Sequence, residues 1–200
     1  LLVLPWRSIW LFSAVFPVVV AVAIYFTLRD ERSPKFFKED KLTFGIGLRH
    51  WSRSEVLKSS IFWFAFPGLL GLPAFGTVLF FQQVNYASLK GWDHLSMVKA
   101  YPLFTMVAVG ISFLSGSLID RYSAIKLIGI YQIPAILGFY IFSVCETLLG
   151  FSIGLICFAI TAGSNNIIPN AFWAECFGTA SLGKIKALAA GVMVVGSAVG

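Results

Sequence analysis

Apolar residues in this chain come in long runs, without the strict alternation of a half-buried strand. Five runs reach or approach the ~20 residues a helix needs to cross the ~30 Å core of a bilayer. They cover residues 9–28, 61–81, 101–119, 125–144 and 148 to about 174. A sixth run starts at Ile185 and continues to Gly200. Backbone polar groups in hydrocarbon must be satisfied inside the spanning segment or by a closed barrel. Barrel strands would be about 10 residues long with alternating polarity. These runs do not alternate, so the pattern predicts an all-α, polytopic transmembrane helical bundle. Residues 1–28 form a first helix, 29–60 a polar linker and 61–200 a helical unit.

The linker carries Arg29, Arg32, Lys35, Lys38, Lys41, Arg49, Arg53 and Lys58 beside Asp30, Glu31, Glu39, Asp40 and Glu55. Its later part, from His50 to Ser60, reads as an amphipathic surface helix, with Ser52 and Glu55 spaced as a capping box. The other connections are short, so consecutive spans run antiparallel. With the linker on one side, Arg121, Lys126, Lys184 and Lys186 fall on that side too. Only Arg7, Lys90 and Lys99 fall opposite, leaving twelve of the fifteen basic residues together. By the positive-inside rule that side is cytoplasmic.

Composition narrows the function classes. Charged residues make up 12% of the chain, with 58% hydrophobic, 16% aromatic and mean hydropathy +0.85. A soluble domain carries roughly 25% charged residues. The net charge of +6 is explained by membrane flanks and does not call for nucleic acid. Cys145, Cys157 and Cys176 are far apart with no ligand spacing, and read as packing residues. His50 and His94 fall in loops. There is no HExxH, no Ser/His pairing and no Walker loop. Hence no metal, no cofactor and no enzyme are expected. The chain begins Leu-Leu, has no recognisable signal peptide and stops inside an apolar run. We therefore expect a piece of a longer polypeptide.

Candidate chemistry falls in two groups. After the third span comes Gly116-Ser-Leu-Ile-Asp120-Arg121-Tyr122. Asp120 is suited to accept from the N-terminus of a neighbouring helix, Arg121 to pair with an acid on another helix, and Gly116 to let a neighbouring backbone approach. Glu175 is the acid expected to pair with Arg121 or Lys184. The second group is polar residues inside spans, which usually face the bundle interior. Gln82, Gln83, Asn85 and Tyr86 lie at the end of the second span, Tyr131 and Gln132 in the fourth, and Asn165, Asn166 and Asn170 in the fifth. Asn166 and Asn170, spaced i, i+4, share a helix face. Each is open to two readings, solute contact or a helix–helix hydrogen bond. The Gly and Pro residues within the spans mark either tight packing or a broken helix lining a cavity.

Gly-x-x-x-Asp-Arg-Tyr between two spans resembles the loop motif of the major facilitator superfamily. Further stretches support that likeness. Trp6-Arg-Ser-Ile-Trp10 looks like the entry to the sixth helix of that family. Phe80-Phe-Gln-Gln-Val84 with Lys90-Gly-Trp92, and the stretch from Phe172 to Ala187, resemble bacterial members near the oxalate/formate antiporter and monocarboxylate-transporter-like group. The chain departs from the motif at Ser123 and Ala124, where the family usually has Gly and then basic residues. Gln82 stands where relatives often have His, which bears on proton coupling there. The resemblance implies helices six to eleven of twelve, the N-terminal half lying outside this sequence. It also implies a bacterial inner-membrane protein moving a small organic solute, an organic anion such as a monocarboxylate being one possibility, with a coupling proton or ion. Gly116, Asp120, Arg121, Glu175 and Lys184 would act in gating, and Gln82, Gln83, Tyr131, Gln132, Asn166 and Asn170 in solute contact. A non-transporting sensor or scaffold could share the same fold.

Overall fold

The computed structural model describes residues 6–27, 44–47 and 49–199. Leu28, Gly200 and most of the expected linker, with Arg29, Arg32, Lys35, Lys38 and Lys41, lie outside the described residues. Among those described the elements are helices, with no strand. Two units result, residues 1–41 and 42–200. The first contributes α1 (Trp6–Thr27), an apolar helix of mean hydropathy 2.4 that is long enough to cross a membrane.

The second unit begins with the last part of the linker. Ser52 caps α2 (Arg53–Lys58): its hydroxyl accepts from the Glu55 amide, and the Glu55 carboxylate accepts from the Ser52 amide at 2.7 Å. The expected capping box is therefore present. Ser59 then caps α3 (Ser60–Leu89), a 30-residue helix holding Pro67 and Pro73. Asp93 caps the short α4 (His94–Val98), which leads into α5 (Tyr101–Tyr122).

The fourth apolar run is not one helix. It is split into α6 (Ala124–Leu127) and α7 (Ile133–Val144) by turns over 128–132. The fifth run is split as well, into α8 (Leu148–Asn165) and α9 (Ile168–Phe177). The last helix, α10 (Leu182–Val199), is apolar and 18 residues long. Proline causes both breaks in part, since Pro134 and Pro169 each remove an amide that would close the preceding turn. Apolarity alone does not report such breaks.

Packing centres on α8, which lies against α5 on one side and α7 on the other, while α10 lies along α3. Small residues set these contacts. A Cβ on Gly163 of α8 would run into the Ala108 carbonyl of α5, and one on Gly138 of α7 would lie 2.8 Å from the Gly154 carbonyl. Backbones this close gain dispersion that side chains would prevent. Gly116, expected to make such an approach, faces open space. A buried cluster of Val56, Phe62, Trp173, Phe177 and Ile185 ties α2, α3, α9 and α10 together at one end. This is called the linker end below.

Candidate functional site: a latch at the linker end and paired helix breaks

At the linker end, α5 finishes with Asp120-Arg121-Tyr122 and the chain turns through Ser123 into α6. Ser123 has φ of +69°, a left-handed conformation uncommon for a residue with a Cβ. It is the position at which the resembling motif usually carries Gly. The turn brings the first amides of α6 to Glu175, on the last turn of α9. Ala124 N–H donates to Glu175 Oε1 at 3.0 Å and Ile125 N–H to Oε2 at 3.3 Å. The Ser123 hydroxyl donates to Oε2 at 2.5 Å. One carboxylate thus satisfies amides that a helix start leaves without a partner, through charge-assisted bonds stronger than neutral ones.

The C-terminal end of α9 is held from the other direction. Ile46 N–H donates to the Cys176 carbonyl at 2.8 Å and Trp51 N–H to the Phe177 carbonyl at 3.4 Å. Gly45 sits so close that a Cβ there would lie 2.5 Å from the Cys176 carbonyl oxygen. The amides of Ile46 and Trp51 therefore cap the carbonyls of a helix end that has Gly178, at φ +78°, just beyond it.

The two helix breaks meet deeper in the bundle. Thr161 of α8, wholly buried, inserts its hydroxyl into the fourth span. It accepts from Ala135 N–H at 3.0 Å and donates to the Tyr131 carbonyl at 3.1 Å. Those two groups would otherwise bond each other in a continuous helix. The Tyr131 hydroxyl donates to Asn165 Oδ1 at 3.3 Å, and the Gln132 amide nitrogen donates to the Tyr131 hydroxyl at 2.9 Å and to the Gly68 carbonyl of α3. Gln132 borders two adjoining cavities between α3 and the fourth span, of about 360 and 210 Å³. The smaller is walled by Pro67, Gly71, Phe75 and Phe139.

Several expected roles fall differently. Glu175 pairs with neither Arg121 nor Lys184. Its oxygens are used by Ser123, Ala124 and Ile125, because the turn delivers amides to it at shorter range than any cation. Asp120, expected to accept from a helix N-terminus, is exposed and has no hydrogen-bond or ion-pair partner among the described residues; Glu175 makes that kind of contact. Arg121 is exposed, with its guanidinium 5.4 Å from the Tyr122 ring. Lys184 borders a separate cavity with Arg53. Asn166 and Asn170 are both exposed and lie side by side, with the Asn170 amide nitrogen donating to the Asn166 carbonyl at 2.5 Å, which the break leaves free; neither borders a cavity named above. Gln83 is engaged by the Tyr101 hydroxyl at 2.7 Å. Gln82 borders a small apolar cavity with Tyr86 and Phe142. Thr161 and Ser123 were not singled out from the sequence. A single hydroxyl in an apolar run carries no signal until its neighbour helix is known, whereas Ser123 stood at a departure from the loop motif.

A family model described as Major Facilitator Superfamily covers residues 1–200. No curated protein and no solved structure matches the chain.

Proposed function

The chain belongs to the Major Facilitator Superfamily, a family of membrane transporters, and on that premise we propose that it is a secondary active transporter moving a small organic solute by alternating access. The carboxylate of Glu175 on the start of α6 carries this reading. It joins two elements through bonds to main-chain amides, so α9 cannot move away from α6 without exposing those amides and the carboxylate together. That suits a gate, held while one side is closed and exchanged for water when it opens. Asp120 and Arg121, exposed on the adjoining turn, are free to take up partners in another state. The paired breaks supply the other half of the reading. Discontinuous helices meeting inside a bundle are where transporters bind solute, and Gln132 and Tyr131 border the cavities there.

Solute of the organic-anion class, such as a monocarboxylate, is supported by the likeness of the stretches 80–92 and 172–187 to the oxalate/formate group. Gln82 and the other polar residues facing the cavities are neutral, so charge balance for an anion would come from a coupling ion or from a residue beyond those described. The distribution of basic residues supports a cytoplasmic linker, which makes the linker end the inner gate.

The test is uptake into proteoliposomes with a panel of labelled carboxylates, sugars and amino acids. Saturable uptake that collapses with an ionophore is the expected result. Asp120→Asn should slow the cycle while leaving membrane insertion intact. Folded protein that moves no solute would turn the assignment toward a sensor or scaffold built on the same fold.

A further inference from the structure

On α10, next to the amphipathic α2, lies a cavity of about 420 Å³ that the transport reading does not use. Arg53 of α2 and Lys184 of α10 border it, and its floor is Ala187, Leu188, Gly191 and Val195 of α10. Both basic residues are exposed and have no acid partner among the described residues. Among the described residues of this end, Glu55 is engaged by Ser52 and Arg49 and Glu175 by Ser123 and α6, while Asp120, on the end of α5, does not line the cavity. Two like charges bordering one cavity repel, and a bound anion removes that repulsion.

The floor says what kind of anion. Residues 187, 191 and 195 recur every four positions and so share a helix face, over about 12 Å at 1.5 Å per residue. Gly191 faces open space, and Val195 is 63% exposed. A small inorganic anion would leave this strip uncovered. α10 is long and apolar enough to cross the membrane, so its first turn, with Lys184, lies at headgroup depth and the strip beyond it in hydrocarbon. From this juxtaposition we propose that the cavity holds one anionic phospholipid, its phosphate between Arg53 and Lys184 and an acyl chain along Ala187, Gly191 and Val195. Basic pockets beside membrane helices suit this chemistry. The inference does not depend on what the protein transports.

The purified full-length protein in neutral detergent, titrated with phosphatidylglycerol, gives the test through its thermal midpoint. Phosphatidylglycerol should raise the midpoint saturably, while phosphatidylcholine or inorganic phosphate should not. Arg53→Gln and Lys184→Gln should each weaken the response about five-fold, the effect expected of one cation at an anionic surface. Gly191→Leu, which fills the strip and leaves both charges in place, should weaken it as well. Lys58→Gln, a cation of α2 outside the cavity, should have the smaller effect. If Lys58→Gln matches the cavity variants, the attraction is diffuse and the site is overturned. If inorganic phosphate reproduces the shift, the ligand is a free anion and the lipid assignment falls. If neutral and anionic lipids act alike, Arg53 and Lys184 do not select the headgroup and the proposal falls.

Discussion

The two ends of the second unit are fastened by different physics. At the linker end the buried cluster around Phe62, Trp173 and Phe177 is supplemented by contacts through helix termini: Glu175 on the amides of Ala124 and Ile125, and the Ile46 and Trp51 amides on the carbonyls of Cys176 and Phe177. At the far end the contacts run through side chains. The Tyr86 hydroxyl donates to the Phe142 carbonyl at 2.7 Å, inside a cluster with Trp92, Phe142 and Phe151, and Lys90 pairs with Glu146 at 2.7 Å. Burial of apolar surface is non-directional and survives small displacements. A carboxylate shared among amides is directional, and once parted it must be rehydrated. On the proposed transport reading, the linker end would part or close as a unit and the far end would yield gradually.

The largest expected effect comes from Glu175→Ala. Leaving the α6 amides and Ser123 without their acceptor should cost about 2–4 kcal/mol, read as a lower thermal midpoint in detergent, with faster hydrogen exchange at Ala124 and Ile125. Gly45→Ala follows at about 1–3 kcal/mol, because the new methyl meets main chain that cannot step aside. Exchange at the Ile46 amide should rise while Ala124 stays protected, separating the linker contact on α9 from the Glu175 contact on α6. At the far end, Tyr86→Phe keeps the aromatic packing and loses the hydroxyl's neutral bonds to the Phe142 carbonyl and Cys145 Sγ, for about 1 kcal/mol, with no change in exchange at the linker end. Glu146→Gln should cost under ~1 kcal/mol, and the loss should vanish in high salt, since Glu146 is 78% exposed. A loss at Tyr86 as large as at Glu175 would erase the distinction between the ends.

The smallest effect concerns acid. The hydroxyl and amide of Ser52 hold the Glu55 carboxyl below its usual range, with a lesser contribution from Arg49. A carboxylate whose folded value is depressed stabilises above its unfolded value and loses that contribution as pH falls through the folded one. The protection of the Ser52 amide, corrected for the intrinsic pH dependence of exchange, should therefore fall on acidification below the ordinary carboxylate range, while that of the Ala135 amide, held by the Thr161 hydroxyl, stays unchanged.

What could be read from the chain differs by residue. The capping box of α2 was legible because both partners lie three residues apart. The spans were legible because hydrocarbon admits only long apolar segments with their own hydrogen bonds. The importance of Glu175 was legible as an acid near the end of a span, but its partner was not. Arg121 and Lys184 were the charges in reach on paper; the amides of Ala124 and Ile125 carry no letter of their own. Gly116 looked like a close contact because it belongs to a motif, yet Gly163 is where backbones meet.

By itself, the sequence determined that the chain is helical, spans a membrane and belongs to a transporter family, because each follows from local composition, segment length or a matching pattern. Tertiary structure alone decided that the fourth and fifth runs are broken, that Thr161 sits between the Ala135 amide and the Tyr131 carbonyl, and that Asn170 serves its own helix. Those outcomes depend on which backbone groups a neighbouring helix brings within hydrogen-bond reach, and that reach is set by packing across tens of residues.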